Sequence, residues 1–102
     1  MDWNSLSNMA IVQEIGKRIK AYRLKKKLTQ QNLADRAGIS IFTIAQIEKG
    51  KSVSLGMLLP VLRELRLLDN LEMLLPEMGI SPIERIKLKG KTPKRIKPSG
   101  NN

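Results

Sequence analysis

From Gln30 to Lys51 the chain strings carboxamides, hydroxyls and amines at helical spacing: Gln30, Gln31, Ser40, Thr43, Gln46, Lys49 and Lys51. Such groups exchange hydrogen bonds and carry positive charge, but without a base beside them they break no bonds. The rest of the chain supplies none. With no His and no Cys in 102 residues, zinc fingers, thiol chemistry and imidazole catalysis are excluded. The nine carboxylates are scattered, no glycine-rich phosphate loop is present, and Ser40 and Ser54 are explained as helix caps. The chemistry on offer is recognition, with no enzyme activity, cofactor or metal site expected.

Charge says what is recognised. The net charge of +10 suggests a polyanionic partner, and its distribution is uneven. Seven basic residues fall between Lys17 and Lys27 and another seven between Arg85 and Lys97, the first group on a helix and the second on a tail. A charge run by itself reads equally well as a solubilising face. Beside the elements described next, phosphate contact is the better reading.

The elements that must position these groups lie between Thr29 and Gly50, TQQNLADRAGISIFTIAQIEKG. Two short amphipathic segments are divided by Ala37-Gly38-Ile39, and each starts at a hydroxyl residue, Thr29 or Ser40, able to accept from free backbone N–H groups. In the first, Leu33, Ala34 and Ala37 share a face; in the second, Ile44 and Ile47 face inward while Ile41, Phe42, Ala45 and Gln46 project elsewhere. Gly38 stands where the chain must turn sharply, a position that favours φ > 0. The spacing predicts a helix-turn-helix whose second helix could lie in a DNA major groove. Gln30 and Gln31, in the first turn after Thr29, sit at a helix N-terminus suited either to a phosphate or to plain capping.

At this point the pattern becomes specific. Thr29-Gln30-Gln31-x-Leu33-Ala34, Ala37-Gly38-Ile39-Ser40 and Ile44-x-x-Ile47-Glu48-x-Gly50 resemble the Xre/Cro family of phage and bacterial repressors, over roughly residues 14–67. The resemblance implies an all-α, five-helix lambda-repressor-like DNA-binding domain. Arg23 stands where that family has an arginine, which implies a structural ion pair with Glu48; direct phosphate binding is its alternative. The family pattern carried across implies Gln30, Ile41, Phe42, Thr43, Ala45 and Gln46 as DNA-binding positions, and Gln31, Ser40, Lys49 and Lys51 join them as candidates by their place beside these. Among them Gln46 suits a bidentate contact to adenine, Ala45 or Ile41 a thymine methyl, and Thr43 a phosphate or base. Phe42 is unusual there. It reads as a groove-wall or thymine-methyl contact, or as packing against the preceding helix. Lys49 and Lys51 flank the Gly50 stop and suit phosphates.

Residues 1–10 read as a flexible N-terminal arm, with Trp3 unassigned. The domain proper is expected over 11–68, its first helix spanning Ile11 to Lys26 with Ile15, Ile19 and Tyr22 as the buried stripe. Ser54 is the expected cap of a fourth helix that buries Leu55, Leu58, Leu59 and Leu62, and Pro60 predicts a kink or a late start there. Asp69-Asn70 should cap a short helix from Leu71 to Leu75. Leu71, Met73, Leu74, Leu75, Met78 and Ile80 are more apolar groups than a four-helix core can hide, so 69–89 is expected as a helical dimerisation or partner extension. Within it, residues 81–89 fit a helix or a strand. Residues 90–102 read as a disordered basic tail that adds DNA affinity, orders on a partner or solubilises.

No apolar run reaches the roughly 18 residues of a membrane span, and no signal peptide is visible, so a cytoplasmic protein is expected. As a homodimer it would read a palindromic operator in double-stranded DNA, nucleoid-associated when bound. Leu67-Leu68-Asp69-Asn70-Leu71, Leu74-Leu75-Pro76-Glu77, Ser81-Pro82-Ile83-Glu84 and the basic tail look like the HipB-type antitoxins of bacteria. That looser resemblance implies an autorepressor that also binds a HipA/HipT-like, serine/threonine-kinase-like toxin. A stand-alone phage-type or chromosomal repressor, and an interaction adaptor that lost DNA binding, are the alternatives.

Overall fold

Ser7, Thr29, Ser40 and Ser54 each stand one residue ahead of a helix, and each turns its hydroxyl oxygen onto a first-turn N–H. The acceptances are from Ala10 N at 3.1 Å, Asn32 N at 2.9 Å, Thr43 N at 3.1 Å and Met57 N at 3.2 Å. Four helices follow in a computed structural model that describes residues 1–79: α1 (Asn8–Lys25), α2 (Gln30–Ala37), α3 (Ile41–Glu48) and α4 (Leu55–Glu64). A 3-10 turn over Leu68–Asn70 leads into a short α5 (Leu71–Leu74). No strand occurs among the described residues. They divide into one unit over Met1–Leu71 and a second that begins at Glu72.

The four helices also end alike. A residue just past each helix donates back across the last turn, from Leu28 N to Arg23 O at 3.1 Å, Ile39 N to Ala34 O at 3.1 Å, Lys51 N to Gln46 O at 3.0 Å and Leu67 N to Leu62 O at 2.8 Å. This Schellman bond needs a left-handed residue just before the donor. Gly38 (φ 73°) and Gly50 (φ 83°) take that conformation without strain, whereas Lys27 (φ 59°) and Arg66 (φ 62°) take it with a Cβ present.

These closed ends bring the helices together around Ile19, Leu28, Leu33, Ala34, Ile44, Ile47, Val61 and Leu65. Burial of Leu33, Ala34, Ile44 and Ile47 follows the predicted faces of the two central helices, and α3 packs on both α1 and α2. Two stripes differ from expectation. On α1 the buried residues are Gly16, Ile19 and Arg23, while Ile15 and Tyr22 are exposed. The reason is Gly16: α1 and α3 approach so closely that a Cβ there would collide with the Ile47 carbonyl, which turns the glycine edge inward. The inward residues of the second stripe are Val61 on α4 and Leu65 at its C-cap, with Leu58 and Leu62 packed beside them, and Leu55 is exposed. The leucine run holds two overlapping helical stripes, and the later one meets the core.

α4 starts directly after Ser54, not late, and runs through Pro60. The bond that proline deletes would have ended on the Gly56 carbonyl, and Gly56 is exposed, so water can satisfy it. Asp69 and Asn70 lie inside the 3-10 turn, whose leading residue Leu67 makes no side-chain cap bond, and α5 ends at Leu74. The first ten residues, expected as a flexible arm, hold a 3-10 turn (Trp3–Ser5) capped by Asp2, then the start of α1. The Trp3 ring lies 4.8 Å from the Arg18 guanidinium, which also meets Glu14 at 2.9 Å. Ile80, residues 81–89 and the tail over 90–102 lie outside the described residues.

Because Lys27 and Arg66 carry a Cβ where glycine is at ease, Lys27→Gly and Arg66→Gly should each stabilise the chain by about 1 kcal/mol. Gly16→Ala should destabilise it by ~3 kcal/mol through overpacking against backbone. Thermal and urea unfolding of the three variants checks both signs.

Candidate nucleic-acid interface

α3 is eight residues long, too short to hold a helix or an orientation by itself. Its C-terminal residue is what anchors it. Arg23, 6% exposed near the end of α1, donates from Nε to Glu48 Oε2 at 2.7 Å and from Nη2 to Glu48 Oε1 at 3.0 Å. Its remaining Nη1 donates to the Leu28 carbonyl at 2.7 Å, in the loop that enters α2. Gln30, the first residue of α2, donates from Nε2 to the same Glu48 Oε1 at 3.1 Å. The two charged side chains are 8% and 3% exposed, so the pair sits inside the fold with its donors and acceptors shared among four partners.

Taking these charges out of water is costly, and bidentate geometry offsets that cost only when every donor finds an acceptor. Here each nitrogen of the guanidinium does. The result is a knot that joins the end of α1, the start of α2 and the end of α3, and so sets the direction in which α3 leaves the core.

The opposite side of α3 faces water. Ile44 and Ile47 are buried, while Ile41 is 42% and Phe42 68% exposed. Ala45 and Gln46 are half-buried, and Lys49 and Lys51 are exposed at the helix exit. Ser40 and Thr43 interact with each other: the Ser40 oxygen accepts from Thr43 N, and the two hydroxyls lie 3.0 Å apart. The α2 glutamines are both engaged, Gln30 with Glu48 as described and Gln31 with Asp35 Oδ1 at 2.8 Å. Thr29 and Asn32 form a reciprocal capping box. What α2 leaves open at its start is therefore main chain, the N–H groups of Gln30 and Gln31, because the Asn32 N–H is taken by the Thr29 hydroxyl.

Leu28 is the participant that residue types do not reveal, since its contribution is a carbonyl that any residue possesses. Of the apolar set in the C-terminal segment, Met73, Leu74, Leu75 and Met78 are exposed and Leu71 is half-buried. No group of three or more metal-ligating side chains occurs among the described residues. None of their helices is long and apolar enough to cross a membrane.

A helix-turn-helix family profile matches residues 19–69, half of the chain, from the buried Ile19 into the 3-10 turn that follows α4. The chain belongs to the helix-turn-helix family. It is of the Xre-like kind, and with that membership comes a coarse assignment as a DNA-binding regulator of transcription. Among curated proteins, no match to the chain was found. In a helix-turn-helix protein the second helix of the motif meets base edges, and here that helix is α3.

Removing one member of a buried pair strands the other, at ~3–5 kcal/mol, whereas replacing both with apolar groups leaves nothing charged inside. Glu48→Ala should therefore cost far more stability than the double variant Arg23→Met with Glu48→Leu. Chemical denaturation of both, compared at equal slope, reads the difference; equal losses would contradict the pairing.

Proposed function

We propose that this helix-turn-helix protein is a sequence-specific transcriptional repressor that works in the cytoplasm as a homodimer on a palindromic operator. The observation that supports it most is the first turn of α3, Ile41 and Phe42, exposed on a helix whose other face is buried and whose end is pinned by Arg23. A helix held at one end and solvated along one side suits insertion into a major groove. Two such helices about 34 Å apart would meet successive turns of one duplex face. The exposed Met73, Leu74, Leu75 and Met78 give a second copy an apolar surface to cover.

In this reading Gln46 pairs with an adenine edge, Ala45 lies close to the base pairs, and Ser40 and Thr43 approach the backbone. Lys49, Lys51 and the α2 start with Gln30 and Gln31 hold phosphates. The finer role is that of a HipB-type antitoxin, which represses its own promoter and binds a serine/threonine-kinase-like toxin. Its support is the resemblance over Leu67–Glu77 and Ser81–Glu84 together with the exposed apolar side chains.

Selection of operator sequences on the purified protein, followed by binding at graded salt, is the test. Affinity should fall log-linearly as salt rises. Gln46→Ala should relax preference at one position per half-site by ~1–3 kcal/mol, while Lys51→Ala should weaken all sequences alike. Equal loss on operator and random DNA for Gln46→Ala would remove it from base reading. A kinase-like reading frame beside the gene, and capture of its product by this chain, supports the antitoxin role; an isolated gene returns the reading to a stand-alone repressor.

A further inference from the structure

The groups on α3 that could read a hydrogen-bond code are few. Its sequence, Ile41-Phe42-Thr43-Ile44-Ala45-Gln46-Ile47-Glu48, holds one carboxylate, and Glu48 is spent on Arg23 and Gln30. The Thr43 hydroxyl lies 3.0 Å from Ser40 and is half-buried. Gln46 is the one carboxamide, and it too is half-buried. The two α3 side chains most open to solvent on this face, apart from Lys49 beyond the helix, are Ile41 at 42% and Phe42 at 68%, and both are wholly apolar. Phe42 cannot donate or accept toward a base edge, and the core offers it no place, since Ile44 and Ile47 already fill the inward positions.

Of the four bases only thymine presents an apolar group in the major groove, its C5 methyl. We propose that Ile41 and Phe42 make α3 a methyl-reading surface, so that the operator is specified chiefly by thymines placed opposite this pair. This rests on α3 entering the major groove. Discrimination then comes from burying a methyl against an isoleucine and a phenyl ring, and Gln46 adds a single hydrogen-bonded position. Because 2′-deoxyuridine pairs as thymine does and keeps its groove hydrogen-bond pattern but lacks the methyl, it isolates the apolar contribution.

The experiment uses the full chain. Duplexes are enriched from random DNA by binding, and the preferred one is remade with deoxyuridine replacing thymine one position at a time. Affinity should fall roughly fourfold at each methyl that is read, the ratio equivalent to one buried methylene. Phe42→Ala and Ile41→Ala should bind the thymine duplex more weakly and should no longer distinguish it from the deoxyuridine duplex; both side chains are exposed, and unchanged circular dichroism confirms that the variants fold. Loss of the methyl effect in either variant assigns that side chain to methyl reading. If every deoxyuridine duplex binds as the parent does while random DNA still binds more weakly, methyl reading is overturned and the DNA-binding reading stands. If both variants keep the full deoxyuridine penalty, the assignment to this pair is overturned. If selection enriches no sequence, the sequence-specific reading itself fails, and this inference with it.

Discussion

A buried arginine and a buried glutamate hold this molecule in register. Arg23 and Glu48 are separated by 25 residues and joined by two hydrogen bonds, at 2.7 and 3.0 Å, on side chains almost wholly removed from water. Apolar packing between α1 and α3 tolerates sliding and rolling, because dispersion is weakly directional. The planar guanidinium is less forgiving: it meets a carboxylate through two parallel bonds in one orientation, and its third nitrogen is claimed by the Leu28 carbonyl. Any roll of α3 that broke this geometry would leave a charge unpaired inside the fold, which costs more than the pair contributes in place. The pair is thus best understood as fixing an angle.

Closing each helix locally solves a second problem. α2 and α3 have eight residues each, below the length at which a helix persists alone, and every end that faces solvent or core leaves N–H and C=O groups to satisfy. Hydroxyl caps at four starts and Schellman bonds at four ends make each segment nearly self-contained before it packs. Packing then has only to choose relative placement. Gly16 lets α1 and α3 meet backbone to backbone, and the ion pair sets their rotation.

What could be read from the residues divides along the same line. Caps at Thr29, Ser40 and Ser54 and the turn at Gly38 are local chemistry, so short patterns reveal them. The inward faces of α2 and α3 follow from helical period, and the exposed set Ile41 and Phe42 emerges as the complement of Ile44 and Ile47. The α1 stripe was displaced because two of its three buried positions, Gly16 and Arg23, are residue types that a count of apolar groups ignores. The left-handed Lys27 and Arg66 left no trace, for neither residue favours that conformation. The bond from Gln30 to Glu48 was not legible, since nothing within its own helix points to a carboxylate 18 residues away. The link from Arg23 to Glu48 came through family resemblance, since period and spacing relate residues only within one helix.

The charge and the apolar tip of α3 act over different distances, and this separation bears on how such a surface would discriminate. Ten net positive charges attract a polyanion over a Debye length or more, without regard to base sequence and in proportion to counterion release. That attraction cannot tell one site from another. Contact between an exposed phenyl or isoleucyl group and a base edge operates only when surfaces touch and water leaves, so it is sharply local and nearly indifferent to salt. A surface dominated by the first would bind any duplex, and one built only from the second would rarely encounter one. With its lysines at the exit of α3 and its apolar pair at the entry, the chain places both along one short helix. The knot at Glu48 is what fixes the direction of the helix that carries both.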